Sequence, residues 1–560
     1  MKLKNIYKTL IVSTLPIFGV GGFSSCSEMD SDLVSFVEDN QLDTPNDTVY
    51  SLMGIVNKMQ VIADRTVLLG ELRGDLTSLT SNAHLDLQDI ANFTAGTDNP
   101  YNNARDYYAV IQNCNYFLAT ADTTLTKRGV KVFEKEYGVV KAYRAWTYLQ
   151  LAINYGSVPF FVEPLLTEKD AQPSSYEFYD VKQIANYFIK DLAPYVDTEY
   201  PDYGSVGTLN SRRFYIPVRV LLGDLCLWAG RYQEAAQYYH DYLTRQGQVH
   251  PTGTARVAWS KYDFSEMEDG YASQFSSQSD EILTIIPMEE EEYNGVVSYL
   301  ADVFNSTEDN NYFYQATHSA AYDELSRSQR FVLVYNDPVS QLPDTVSPEG
   351  MTFPNESLRG DLRQQSIYVL RNQESTSNTQ SSILQTCYKY TSGHVNLYRL
   401  QHVYLRYAEA LNRAGYPESA FAVLKYGLCK DNIDRYLPAS ERKAAGNLLS
   451  FSEYTFLREN TQGLHSRGSG NANADTTYVI PALASAADSI LYVEDRICDE
   501  MALETAAEGL RFYDLMRLSL HRNDPTFLAD KVARRKGSAN YDSSLFTLLS
   551  EPKNWYLKLE

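Results

Sequence analysis

Apolar residues spaced three and four apart mark the strongest segments of the chain, the spacing of one buried helix face. Val139, Ala142, Tyr143, Trp146, Leu149 and Ile153 form the clearest stripe, which stops at Tyr155-Gly156-Ser157-Val158-Pro159 because glycine and proline end a helix. From Asp43 to about Thr120 the pattern is also helical, with turn-forming breaks at Gly96-Thr97-Asp98-Asn99-Pro100. A further helix is predicted to begin after Pro173-Ser174-Ser175 and to reach Asp191-Leu192. Val218, Leu221, Leu222, Leu225 and Trp228 make another stripe; Ala229-Gly230 breaks it, and Tyr232, Ala235, Ala236 and Tyr239 restart it at once as a tight helix–turn–helix. The same unit returns as Leu397, Leu400, Tyr404, Tyr407, Ala408 and Leu411, then Ala414-Gly415, then Ala420, Ala422 and Leu424. A helix, a glycine turn and an alanine-bearing second helix follow the logic of tetratricopeptide units, in which small residues let paired helices stack.

Between about residues 250 and 395 the chain turns polar and turn-rich, with short apolar runs at Ile282-Leu283-Thr284-Ile285-Ile286 and Phe331-Val332-Leu333-Val334-Tyr335 that predict strands. The expected fold is therefore mainly α. A tetratricopeptide-like helical scaffold covers about 46–250 and 395–560, and an irregular, loop-rich insert with short strands lies between its halves. Loops carried on such a scaffold are where binding residues concentrate.

Composition narrows the function. With 44% hydrophobic and 21% charged residues over 560 positions, most of the chain has enough apolar surface to fold. The 71 acidic against 49 basic residues, a formal net charge of −22, argue against a partner held through its phosphates, so no nucleic acid is expected. Tyrosine is abundant, at 44 residues against 4 tryptophans. Such rings pair an apolar face with a polar tip, which suits hydroxyl-rich ligands and helix interfaces alike.

The N-terminus carries Lys2, Lys4 and Lys8 ahead of an apolar run, Leu10 to Gly22, that is too short and too rich in glycine and proline to span a bilayer. Residues 1–25 read as a secretory signal. Phe23-Ser24-Ser25-Cys26 resembles the lipobox of bacterial lipoproteins, although Phe23 stands where leucine is usual and Ser25 where glycine or alanine is usual. That resemblance implies a lipidated Cys26 followed by a tether over about 26–45, with acyl chains as the only membrane attachment. The acidic Ser27-Glu28-Met29-Asp30-Ser31-Asp32 resembles the segment that marks surface lipoproteins for the outer face of the outer membrane. The other cysteines, Cys114, Cys226, Cys387, Cys429 and Cys498, show no C-x-x-C spacing. They predict neither a metal nor a redox site. Small buried hydrophobes are expected, with room for one disulfide.

No residue stands out for catalysis. Carboxylate pairs arise by chance among so many acids, the 8 histidines are dispersed, and the nucleophile-elbow, phosphate-loop and dinucleotide motifs are missing. His465-Ser466-Arg467-Gly468-Ser469-Gly470 reads as part of a flexible surface loop, and Leu72-Arg73-Gly74-Asp75 with its echo Leu358-Arg359-Gly360-Asp361 as turns. No enzyme activity, cofactor or metal is expected. Sugar binding needs flat rings for the C–H face of a pyranose and planar polar groups for its hydroxyls. Three loops offer that mixture: Asn99-Pro100-Tyr101-Asn102-Asn103, the insert segment with Tyr293-Asn294-Gly295 and Tyr299, and Asn310-Asn311-Tyr312-Phe313-Tyr314.

Five segments together resemble the SusD/RagB family of surface glycan-binding or peptide-binding lipoproteins. They are Tyr108 to Leu118; Glu136 to Phe161 with Arg144-Ala145 and Tyr155-Gly156-Ser157-Val158-Pro159; Tyr398 to Gly415 with Ala408-Glu409-Ala410-Leu411-Asn412; Glu504 to Arg517 with Glu508-Gly509-Leu510-Arg511; and Asn554-Trp555-Tyr556-Leu557. Gln401-His402 replaces the first Ala-Glu of the third motif. On helical spacing Glu504, Glu508 and Arg511 share one face, with Asp514 and Arg517 continuing it, and they read as a structural ion network in which Gly509 allows close approach. Arg144, Glu409 and Arg413 read the same way.

The resemblance implies capture of an oligosaccharide at the outer membrane surface and its delivery to a TonB-dependent SusC-like transporter, without catalysis. It adds Arg73 and Asp75 to the ligand candidates, beside Tyr101, Asn102, Tyr293, Tyr299, Tyr312 and Tyr314 from the loops. A peptide-binding protein of the same kind and a repeat-based protein-interaction scaffold are the alternatives, and a surface hydrolase would require a carboxylate pair in a cleft.

Overall fold

Helices pack one on the next through most of the molecule. The computed structural model describes residues 47–559 apart from 168–169, 171, 173–175, 245–254, 260–266, 291–294, 337–342, 347–359, 374–381 and 452–460. The helices of the scaffold include α1 (Asp47–Leu72), α2 (Ala104–Thr120), α3 (Glu134–Tyr155), α4 (Val181–Leu192), α5 (Val218–Trp228), α6 (Tyr232–Leu243), α7 (Leu400–Arg413), α8 (Pro417–Lys425), α9 (Ala486–Thr505), α10 (Arg511–Arg522), α11 (Pro525–Ala533) and α12 (Ser543–Leu549). Each of α2 to α6 packs on its successor; α6 meets α7, α7 meets α8 and α9, and α10 returns to α1. The mainly helical, tetratricopeptide-like fold expected from the spacing is what forms.

Both A-G turns end their helices as the pattern requires. Gly230 and Gly415 follow the C-caps of α5 and α7 with φ of 74° and 95°, left-handed backbone that costs a residue with a β-carbon about 1 kcal/mol or more. The next helix starts two residues later, so each pair folds back as an antiparallel hairpin. Helix α4 begins at Val181, later than expected, where Asp180 and Gln183 form a capping box.

The insert is fastened at its neck. Ile282–Ile286 pairs antiparallel with Val395–Arg399, Ile286 opposite Val395 and Ile282 opposite Arg399. Leu397 and Tyr398, expected in a helix, belong to that ladder, because their partner strand lies more than a hundred residues upstream and leaves no helical signal. The second expected strand is shifted to Leu333–Asn336. Ala316–His318 adds a second tie by pairing with Thr77–Leu79, the strand that follows α1.

A buried ionic seam joins insert and helices. The Glu504 carboxylate on α9 accepts from Arg363 Nη1 at 3.0 Å, Arg467 Nε at 3.2 Å and Arg399 Nη2 at 3.2 Å. Arg363 also grips Asp361 and Glu500, Arg467 grips Glu281, and Arg399 grips Glu508 at 2.6 and 2.8 Å. Burial alone would raise Glu504, but the three guanidinium groups outweigh it and hold the carboxyl below its ordinary range. His465 to Ser469 is therefore not a surface loop. It is buried because Arg467 has to reach Glu281 and Glu504.

Nor do Glu504 and Arg511 share one helix. The chain breaks between α9 and α10, with Ala507 and Gly509 at φ of 64° and 78°. The break lets Gly509 lie against α1, where a β-carbon on it would stand 2.3 Å from the Thr66 carbonyl oxygen. Close approach at Gly509 and a structural ion network are what the motif builds.

Cys114, Cys226, Cys387, Cys429 and Cys498 are all buried and unpaired, so no disulfide joins any two of them. Burial pushes the thiols of Cys114, Cys226 and Cys387 up to about 12, which keeps them protonated and inert.

Candidate functional site

Helix α1 carries the platform on which two of the predicted loops meet. Asp64 accepts from Ser298 Oγ at 2.6 Å and from the Tyr299 N–H at 2.8 Å, pinning the insert to the helix. Burial raises the Asp64 carboxyl above its ordinary range, and the bonds from Ser298 and Tyr299 oppose that. Beside it Arg65 pairs with Asp106 at 2.5 Å and donates to the Asn103 carbonyl at 3.3 Å, which fixes the loop of residues 99–103 to the same turn. Tyr101 is half-buried there. Its phenol is raised by burial and by the nearby charges of Asp64 and Asp86. Tyr299 is 52% exposed, so one ring from each loop flanks Asp64.

The third loop is braced from within. Helix Leu300–Phe304 starts immediately after Tyr299, and Asn310 binds back to it and to the residue that follows it. The Asn310 amide donates to the carbonyls of Asp302 at 3.0 Å and Asn305 at 2.7 Å, while its oxygen accepts from the Thr307 N–H at 3.0 Å. Asn311 and Tyr312 sit in left-handed backbone at φ of 52° and 65°, a conformation that side-chain-bearing residues hold only when their surroundings over-determine it. The consequence is an outward pair of rings, Tyr312 at 41% and Phe313 at 60% exposure. Tyr314 is half-buried, and its carbonyl accepts from Thr80 Oγ1 at 2.8 Å. The Tyr312 hydroxyl donates to Glu308 at 3.2 Å.

The other predicted residues face inward. Arg73 is 1% exposed; its guanidinium donates to the carbonyls of Leu69 and Trp555, to Asn154 Oδ1 and to the Tyr513 hydroxyl, and lies 4.5 Å from the centre of the Phe512 ring. Asp75 is gripped at both oxygens by Arg511, at 2.6 and 2.9 Å. Burial would raise its carboxyl, and Arg511 more than offsets this and holds it low. Asn102, also 1% exposed, donates to the carbonyls of Gly96 and Lys558. These three have their donors or charges committed to the chain itself and offer no surface to a ligand. Tyr293 and Cys26 lie outside the described residues.

Spacing alone gave no reason to single out Asp64, which is one acid on an amphipathic helix. Phe313 carried a signal, its place between two tyrosines in the densest polar–aromatic cluster. Among the described residues no group of histidine, cysteine and acidic side chains is arranged to hold a metal ion.

No family model and no curated protein matches the chain. Solved structures do. A SusD-like carbohydrate-binding protein from Bacteroides fragilis superposes with a TM-score of 0.55 at 14% identity, covering 86% of this chain and 87% of its own. A SusD superfamily protein from Bacteroides thetaiotaomicron gives 0.53 at 15% identity over 85% and 89%. A SusD-like carbohydrate-binding protein from Bacteroides vulgatus gives 0.52 at 15% identity over 85% and 84%. Helices stacked in pairs around an insert thus define a tetratricopeptide-like helical scaffold as the class. Within that class, the fold of this chain is that of the SusD superfamily.

Proposed function

We propose that this chain is a glycan-binding lipoprotein of the outer membrane surface, which captures an oligosaccharide on the rim formed by Tyr101, Tyr299, Tyr312, Phe313 and Tyr314 and passes it intact to a TonB-dependent transporter of the SusC kind. The observation that carries this reading is the outward ring pair at Tyr312 and Phe313 on a loop whose own hydrogen bonds hold it rigid. A rigid exposed ring loses little conformational freedom when a sugar face covers it, so more of the contact energy appears as affinity. The carbohydrate-binding proteins among the structural neighbours support the ligand class. The lipobox-like Cys26 supports the anchor, and no helix among the described residues is long and apolar enough to cross a membrane.

The test is calorimetric titration of the mature chain with neutral oligosaccharides and with mixed peptides, analysing the ligand afterwards. Saturable binding of one glycan class, with the glycan recovered whole, is expected. Recovery of cleaved glycan would overturn the capture role, and saturable binding of peptides alone would replace the ligand.

A further inference from the structure

One cleft on the described surface belongs to none of the loops above. It encloses about 550 Å³, within the size range of small-molecule sites, between three elements of distant sequence. Met53, Val56, Asn57 and Gln60 from one face of α1 form the first wall. The tight turn at Val206 to Leu209, with Phe214 behind it, forms the second, and the third runs from Pro287 to Glu290 with His394. Gln60 joins the first and third walls by donating to the Pro287 carbonyl at 2.5 Å.

The lining is sharply divided in chemistry. Methionine, valine, leucine, proline and phenylalanine carbons supply most of the wall, and two of them, Met53 and Met288, are thioethers that adapt to irregular shapes. Among the described residues its formal charges are Glu289 and Glu290, both exposed, and no lysine or arginine lines the cleft. Both carboxylates act on the His394 imidazole, which places their charge at that wall. His394 Nδ1 accepts from the Met288 N–H at 3.0 Å, and burial lowers the imidazole below its ordinary range, so the ring brings no competing positive charge near neutral pH. The stem of Glu289 rests where Gly295 leaves room, since a β-carbon there would stand 2.3 Å from its Cγ.

We infer that this cleft is a binding site for a basic side chain of a peptide, a lysine or arginine whose aliphatic stem lies on the methionine and valine wall while its cationic head meets Glu289 and Glu290. Such side chains combine an apolar stem with a charged tip, and the walls offer the two in that order. The site is separate from the aromatic rim. Gln60 in the cleft and Asp64 at the rim are about one helical turn apart on α1, yet they are reached through different loops.

The experiment titrates the mature chain with a lysine–leucine tetrapeptide blocked at both ends, its norleucine-for-lysine counterpart, and a glucosamine oligomer. The lysine peptide is expected to bind saturably and to weaken as salt rises, because the exposed carboxylates are screened. Glu289→Gln with Glu290→Gln is expected to weaken it at least tenfold. Val206→Arg, which places a cation at the mouth of the cleft, is expected to do the same, and Tyr312→Ala to leave it unchanged. All four positions are exposed, so the variants fold. The inference is overturned if the lysine peptide does not bind, if the norleucine peptide binds equally well, if the glutamine variant keeps full affinity, or if the glucosamine oligomer displaces the peptide with equal affinity. Loss of glycan binding in Tyr312→Ala with unchanged peptide binding would separate this site from the rim, so either can fail alone.

Discussion

The ionic seam around Glu504 and the aromatic rim around Tyr312 are built from opposite materials. In the seam every charge is buried and held by several partners; in the rim Tyr299, Tyr312 and Phe313 stand in solvent while the hydrogen bonds lie beneath them. The seam fixes where the insert sits, and the rim occupies the position so fixed. Substitutions in the first should therefore appear as lost stability, and substitutions in the second as lost binding with stability nearly intact.

The largest effect is expected at Arg511, whose guanidinium grips both oxygens of the Asp75 carboxylate. Arg511→Met leaves Asp75 charged and buried without its partner, which typically costs about 3–5 kcal/mol. A urea midpoint lowered accordingly, and largely restored by adding Asp75→Asn, would place the cost in the stranded charge. A loss below about 1 kcal/mol would show that the pair does not hold the fold.

Glu71 comes next, and its sign is opposite. It is buried at the end of α1, where it accepts from the backbone N–H groups of Glu508 and Gly509 and from Thr77 Oγ1. Burial raises its carboxyl to about 7, against hydrogen bonds that lower it. A carboxyl raised on folding favours the folded state fully while protonated, so that contribution is present below the unfolded value of 4.5 and is lost as pH climbs to about 7. Glu71→Gln keeps an acceptor for the N–H groups and removes the titration. The variant is expected to match the parent near pH 4 and to exceed it at pH 8 by about 1–3 kcal/mol. Parallel stability-versus-pH curves for the two proteins would refute this.

How legible these regions were in the chain follows from the same contrast. The helix pairs α5–α6 and α7–α8 were readable because their signal is local, a stripe, a glycine and alanines within about thirty residues. The fate of Arg73 was not, since one of its acceptors is the Trp555 carbonyl, 482 residues away. A turn-like Leu-Arg-Gly-Asp looks the same whether its arginine points to a ligand or into the core. Glycine and serine made His465 to Gly470 look like a surface loop, although the Arg467 among them is fully buried. At the rim the residue types were readable and the bracing was not. Nothing local shows that Asn310 is a strut while Tyr312 is a face.

Gly415 offers a smaller effect that isolates the scaffold's turn. No atom lies within 4 Å of where its β-carbon would be, so Gly415→Ala meets no clash and pays only for left-handed backbone, about 1 kcal/mol. Binding at the rim is expected to be unchanged, which titration of the same variant checks.

The smallest change in stability is expected at Tyr312, and it sharpens the contrast most. Its ring is 41% exposed, so truncation uncovers no core, while its φ of 65° strains any residue with a β-carbon. Tyr312→Ala should leave the urea midpoint within about 0.5 kcal/mol of the parent. Tyr312→Gly relieves the strain at the cost of extra freedom in the unfolded chain, for a net gain of about 0.5 kcal/mol. Both variants should lose glycan affinity at least about tenfold, equivalent to about 1.4 kcal/mol. A residue whose removal stabilises the protein and weakens its ligand is held in place for binding. If instead Tyr312→Gly destabilised the chain and left titrations unchanged, the loop would be part of the scaffold and the rim would lose its leading ring.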